Sequence, residues 1–242
     1  LDPMESNLNL AFYLSKKTYL KKFFSFNCLD VNYTPSNEYQ ESELYRISEN
    51  ELIYKTKLIH SILINDTEIF ELIINHPSFD KSESQIKDAL YVSLLENRLQ
   101  IFEKILNMYE GIDINSHIFN GNSLLIESIT GRRKDKFNDL ITRKAKAQDF
   151  VTCILNYKNF DSIESDISRA FALSVMNNSE ENETGGYLMN LLYEYDCKHH
   201  HLIDQLIKEK GSSIMVSNIK SVHLIEFLIE HGADPNEPDE NG

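Results

Sequence analysis

The sequence predicts an all-α chain made of about six helix-turn-helix units in tandem, and two observations carry that prediction. The first is a pattern of an apolar pair, two variable residues and a second apolar pair. It recurs as Tyr19-Leu20 with Phe23-Phe24, Ile69-Phe70 with Ile73-Ile74, Ile101-Phe102 with Ile105-Leu106, Phe150-Val151 with Ile154-Leu155, Tyr187-Leu188 with Leu191-Leu192, and Leu224-Ile225 with Leu228-Ile229. At 3.6 residues per turn each quartet falls on one stripe of a helix, the stripe that would face a core. The second is a small residue placed a nearly constant distance before the end of each stripe. Thirteen residues back from Phe24, Ile74 and Leu106 stand Ala11, Ser61 and Ser93, and twelve back from Ile229 stands Ser217. Ser128 and Ser174 fill the same place in units four and five once insertions are allowed. Ala or Ser thus stands at all six places.

Most stripes are followed by an apolar-Asp or Asp-x-Asn step where the chain must turn: Leu29-Asp30-Val31-Asn32, Phe79-Asp80, Ile112-Asp113-Ile114-Asn115, Phe160-Asp161 and Asp234-Pro235-Asn236. Asp and Asn suit turns because their side chains bond the backbone two residues on. The tail Leu224 to Asn236 is the clearest instance, an amphipathic helix closed by Gly232, whose missing β-carbon permits the left-handed conformation that ends helices.

That tail resembles the second helix and finger turn of an ankyrin repeat, and the internal recurrences extend the resemblance over roughly residues 6–242. The fold it implies is an ankyrin-type solenoid of about six helix-turn-helix repeats with insertions. The approximate units are 6–32, 56–80, 88–115, 120–163, 169–200 and 212–236. The family's Thr-Pro-Leu-His signature is mostly absent, and Asn120-Gly121-Asn122-Ser123-Leu124-Leu125 comes nearest to it. The repeats are therefore divergent. Residues 236–242 match the opening of a further unit, so the expectation is the front part of a longer protein. Leu1, Asp2 and Pro3 before Met4 read as a cloning remnant, leaving 4–242 as the array.

The stripes end at Phe24, Ile74, Leu106, Leu155, Leu192 and Ile229, intervals of 50, 32, 49, 37 and 37 residues against a family period of about 33. Four intervals thus hold extra chain. The insertion near 33–55 is acidic, with Glu38, Glu41, Glu43, Glu49 and Glu51 among Tyr39, Tyr45 and Tyr54, and reads as an acidic contact loop or a solvated linker with a short helix. The insertion at 131–148 carries seven basic and two acidic residues, a local +5 in a chain of net −14. It reads either as an anion-attracting segment or as an extension of both helices of unit four. Asn177 to Gly186 reads as an exposed turn, and Lys208 to Ser213 as a polar connection.

Composition narrows the function. At 242 residues and 41% hydrophobic, the chain has enough apolar content for a folded core. A net charge of −14 opposes nucleic acid as the main partner, because phosphate affinity comes from clustered Lys and Arg. No run approaches the roughly 20 apolar residues of a membrane span. Cys28, Cys153 and Cys197 lie far apart, fitting buried thiols of a reducing compartment rather than a disulfide framework. The location expected is cytoplasmic, or a host cell if the protein is a secreted effector.

No arrangement for catalysis is legible. There is no nucleophile on a glycine-flanked turn and no phosphate-cradling loop followed by Lys. Cys197-Lys-His-His-His201 contains zinc-binding residue types. Adjacent side chains diverge, however, and no second Cys or His cluster completes a shell, so surface histidines are expected with no metal and no cofactor. Glu71, Glu103 and Glu226 fall on the outward side of their stripes as solubilising positions. The resemblance implies a non-enzymatic scaffold that binds another protein through its concave face and inserted loops. The residues expected to contact that partner are Tyr33, Tyr91, His117 and Tyr157 at or near fingers, with Arg132, Arg133, Lys134, Arg143 and Lys144 in the basic insert. Contact of that insert with an anionic membrane is a weaker expectation. The alternative is the targeting part of a larger enzyme or pathogen effector whose catalytic part lies beyond residue 242.

Overall fold

The computed structural model describes residues 18, 22, 32, 44–46, 52–54, 56–116, 121–130, 140–176, 183–217 and 221–237. Helix makes up 66% of what is described, in line with the helical class. The chain divides into two compact units, residues 1–112 and 113–242.

In the first unit a short antiparallel pair precedes the helices, β1 (Leu44–Arg46) with β2 (Leu52–Tyr54), in the register Leu44 to Tyr54 and Arg46 to Leu52. Within the acidic insertion at 33–55, residues 44–46 and 52–54 are thus extended and paired, and the others lie outside the described residues. Leu, Tyr and Ile are residue types that favour extended backbone. Helices α1 (Lys57–Leu63) and α2 (Thr67–Ile74) form one pair, and α3 (Glu83–Leu95) and α4 (Leu99–Met108) the next. Each packs within its pair, α1 packs on α3, and α2 on α4. First helices thus stack on first helices and second on second.

The turns inside the pairs share one construction. Asn65 and Asn97 both take a left-handed backbone, φ 55° and 61°, a conformation that Asn tolerates better than most side chains. The residue after each Asn then donates its N–H back to the carbonyl of the buried serine, Asp66 to Ser61 at 3.0 Å and Arg98 to Ser93 at 2.7 Å. Thr56 and Asp66 begin α1 and α2, their side-chain oxygens each accepting an N–H three residues on at 3.2 Å, which satisfies donors that the helix itself leaves open.

The second unit repeats the plan with α5 (Leu124–Thr130), α6 (Leu140–Leu155), α7 (Ile167–Met176), α8 (Glu183–Cys197), α9 (Leu202–Ser217) and α10 (Val222–Glu230). The pairs are α5 with α6, α7 with α8 and α9 with α10; α7 also packs on both α5 and α9, and α8 on α6. Gly232 ends α10 at φ 98°, with the Ala233 N–H reaching the Leu228 carbonyl at 2.9 Å, as the sequence anticipates.

The stripes form the core. Ile69, Phe70, Ile73, Ile74, Ile101, Phe102, Ile105, Phe150, Val151 and Ile154 are all at most 1% exposed, each burial stabilising by about 1.5–3 kcal/mol. The last two stripes are half-filled: Leu188, Leu192, Leu224 and Leu228 are buried, whereas Tyr187 and Ile229 stand out at 46% and 44% exposure. The stripe of unit one and Ala11 lie outside the described residues. Ser61, Ser93, Ser128 and Ser174 are fully buried. Each turns its hydroxyl back onto the carbonyl three residues earlier, at 2.6, 2.6, 2.6 and 2.7 Å. A serine is thus as small as the contact requires and needs no outside partner for its hydroxyl.

Several boundaries differ from the sequence reading. Lys208 to Ser213 is the middle of α9 rather than a connection, so the α9–α10 pair, the unit expected from 212, begins at Leu202. The polar run misleads because only one face of α9 is buried; Ile203, Ile207, Gly211 and Met215 recur at helical spacing. Of the turn expected at 177–186, Glu183 to Gly186 already belong to α8. The α3–α4 pair, the unit expected from 88, starts at Glu83. The end of the basic insertion from Leu140 onward is helical and lengthens α6, the extension reading for that half; 131–139 lie outside the described residues. Cys153 and Cys197 form no disulfide with each other and are half-buried rather than buried.

Candidate functional site

Two places in the described residues combine exposed side chains with a constrained backbone: the turns that follow the second helices, and the junction of α8 with α9.

Each post-helix turn is built on its aspartate. A side-chain oxygen of Asp80 accepts the N–H of Ser82, that of Asp113 the N–H of Asn115, that of Asp161 the N–H of Ile163, and that of Asp234 the N–H of Asn236, all between 2.8 and 3.0 Å. Four copies of the same two-residue reach give the turns one shape. Asparagines then tie successive turns together. In the second unit the Asn115 amide donates to the Asn159 carbonyl at 2.7 Å, while its oxygen accepts the Asp161 N–H at 2.9 Å and the Ser165 hydroxyl at 2.8 Å. In the first unit Asn32 donates to the Ser78 carbonyl and accepts the Asp80 N–H at 2.7 Å. One carboxamide spanning the backbone of the next turn is thus the same device in both units. Around the clasped backbone of the second unit, Lys158, Asn159, Ile163 and Glu164 are exposed, Ile163 at 61%.

The residues expected to meet a partner fare unevenly. Tyr91 is 2% exposed and belongs to the core, because α3 packs on both α1 and α4 and buries every position from Ala89 to Leu95. Tyr157 is 9% exposed. Its N–H bonds Ile154 and its carbonyl accepts from Phe160, a tight turn that folds the ring inward. Neither offers a surface for binding, which corrects both assignments. Tyr33, His117, Arg132, Arg133 and Lys134 lie outside the described residues. Arg143 and Lys144 lie on α6. Of the outward glutamates, Glu103 and Glu226 are exposed as expected, and Glu71 pairs with Lys104 of α4.

At the α8–α9 junction the chain reverses over Lys198 to His201. The amides of His199, His200 and His201 all return to the Asp196 carbonyl, at 3.0, 2.9 and 3.1 Å, and His201 takes a left-handed φ of 57°. The buried Asp196 carboxylate accepts the Ile203 N–H at 2.7 Å, holding the start of α9. Its other oxygen has no partner, and burial raises its pKa. The outcome is that Cys197, His201 and Asp204 offer ligand atoms all within 4.8 Å of one another. The sequence reading missed this because Asp204 sits outside the Cys-His run and only the left-handed turn swings it alongside. The local spacing Cys197-x3-His201-x2-Asp204 is the signal that was there.

His201 Nδ1 lies 3.1 Å from one Asp204 oxygen, and the Tyr193 hydroxyl donates to the other at 2.8 Å. Burial alone would raise the Asp204 carboxyl, but the bonds from Tyr193 and His201 outweigh it and hold it below the ordinary range. Burial, then the hydrogen bonds to Cys197 and Asp204, push the Tyr193 phenol far above its usual value. Tyr193 is fixed from behind, edge-on to Phe227 at 5.3 Å and to His231 at 4.4 Å, while Phe227 also meets Phe171 of α7. His199 and His200 are exposed, and His199 stacks on Tyr195 at 4.1 Å.

Among the described residues no helix is long and apolar enough to cross a membrane. Compared with known protein families, curated proteins and solved structures, the chain matches none.

Proposed function

We propose that the chain is a divergent ankyrin-type scaffold, without catalysis of its own, that binds another protein along the turns following its second helices. The observation that carries this reading is the clasp. Asn115 bridges two turns with three hydrogen bonds and leaves Lys158, Ile163 and Glu164 exposed on a backbone that is already ordered. A surface whose backbone is fixed before binding loses little conformational entropy on association. An exposed β-branched apolar side chain between opposite charges is suited to a protein surface with an apolar centre and a polar rim. The stacked pairs with their recurring buried serines support the repeat reading, since such arrays present binding edges while each unit contacts only its neighbours.

The test is comparative capture from lysate with the native chain and two variants, Ile163→Asp and the triple reversal of Arg132, Arg133 and Lys134 to Glu. Circular dichroism first establishes that both fold. A partner retained by the native chain and lost with Ile163→Asp supports the turn edge. Identical capture by all three chains refutes it, and loss only with the triple reversal moves the contact to the basic insertion.

A further inference from the structure

We propose that Cys197, His201 and Asp204 form a site for a single divalent transition-metal ion, zinc by the chemistry of its donors, with solvent in the fourth position. Thiolate, imidazole and carboxylate are each ordinary zinc donors, and three protein ligands with one open position is a recurrent zinc arrangement. Softer donors such as Cys and His select zinc over magnesium or calcium, which prefer all-oxygen shells.

Geometry carries the proposal. Donors on a tetrahedral zinc stand about 3.4 Å apart for nitrogen to oxygen and about 3.6 Å for sulfur to nitrogen, given the usual bond lengths. His201 Nδ1 and Asp204 Oδ2 are already 3.1 Å apart, and the Cys197 sulfur completes a set within 4.8 Å. Closing the set requires only a small movement of the cysteine side chain. The backbone is committed in advance, because His201 sits in the left-handed region and Cys197 and Asp204 belong to the last and first turns of α8 and α9.

The surroundings suit a cation. Asp196, fully buried one residue before Cys197, has a carboxylate oxygen without a hydrogen-bond partner. The Tyr193 hydroxyl on Asp204 Oδ1 leaves Oδ2 toward His201, which is how outer hydrogen bonds orient a metal-binding carboxylate. His201 is exposed and opens the site to solvent. On binding, zinc–sulfur, zinc–nitrogen and zinc–oxygen bonds form. The thiol proton leaves to solvent, and His201 binds through Nδ1 as a neutral imidazole with its one proton on Nε2, with no change of oxidation state.

The experiment titrates Zn²⁺ into the full chain by calorimetry and Co²⁺ by absorption, where a thiolate-to-cobalt charge-transfer band reports sulfur coordination. The native chain is expected to take up one equivalent and show the band. Cys197→Ser is expected to abolish the band, which separates Cys197 from Cys28 and Cys153. Tyr193→Phe is expected to weaken binding roughly 10–100-fold, the usual effect of losing an outer hydrogen bond to a ligand, and His201→Gln and Asp204→Asn to weaken it further. The double variant His199→Gln/His200→Gln, whose side chains are outside the cluster, is expected to bind as the native chain does. Because His201 is exposed but left-handed, circular dichroism first establishes that His201→Gln folds, and it then serves as the decisive variant. The proposal is overturned by absence of the band in the native chain, by undiminished binding in His201→Gln, or by loss of binding in the His199/His200 pair.

Discussion

Replacing Asn115 with alanine tests whether the clasp is structural. The side chain is 6% exposed and makes three hydrogen bonds. The two to the backbone of the next turn are worth about 0.5–1.5 kcal/mol each, and the Ser165 hydroxyl, fully buried, adds about 1–3 kcal/mol when left without its acceptor. Water reaching the exposed side of the turn at Asn159 returns part of this, so the expected loss is about 2–4 kcal/mol. Urea unfolding followed by circular dichroism measures it as a lower midpoint at unchanged slope. The cycle with Ser165→Ala sharpens the result: once the hydroxyl is gone, Asn115→Ala should cost less by about 1 kcal/mol, a coupling expected only of groups in contact. A single-variant loss below about 0.5 kcal/mol, the range of uninvolved surface positions, or a strictly additive cycle, would show that the turns hold their shape without the asparagine.

Gly211→Ala is expected to destabilise although alanine is the better helix former. A β-carbon at Gly211 would stand 2.4 Å from the Ala233 β-carbon, and overpacking of about 1–3 kcal/mol outweighs a propensity gain of about 1 kcal/mol. Ala233→Gly in the same chain should restore part of the loss, and a raised thermal midpoint for Gly211→Ala alone would contradict the close approach of α9 to this turn. Asp88 on α3 is raised by burial from an ordinary 3.8 to about 6. The folded chain therefore holds this proton more tightly than the unfolded one. The cost of burying the charge is absent below pH 4, appears as pH rises through the window from 3.8 to 6, and is complete above it. Asp88→Asn should then stabilise at pH 7.5 by an amount on the order of 1 kcal/mol, after solvent screening of a half-buried group is allowed for, and leave stability at low pH unchanged. Equal effects in denaturation curves at both ends of that range would rule this out.

The stripes were legible because helix burial is periodic, and Ile69, Phe70, Ile73 and Ile74 carry that period in four letters. The serines at Ser61, Ser93, Ser128 and Ser174 were legible for a related reason: a close helix approach excludes large side chains whatever else surrounds it. Gly232 announced a helix end because few residues take its φ. These are local or periodic constraints, and a single chain records them. Tyr91 and Tyr157 were misread because exposure depends on how many neighbours a helix or turn acquires, and α3 has partners on two sides. The helical Lys208 to Ser213 was hidden by its polar residues, since one buried position per turn is enough to hold α9 in place. The Asn115 clasp links residues 44 to 50 apart, a distance at which composition carries no pairing information. At the α8–α9 junction the residue types were visible and their convergence was not. Whether Cys197, His201 and Asp204 meet depends on one left-handed residue and three amides folded onto Asp196, and those are tertiary decisions. What the sequence by itself determined is a run of amphipathic helices with small contact residues, because those follow from period and size. Only the tertiary structure decided which turns are pinned, which tyrosines are core and which donors face one another, because each depends on segments brought together by packing rather than by order along the chain.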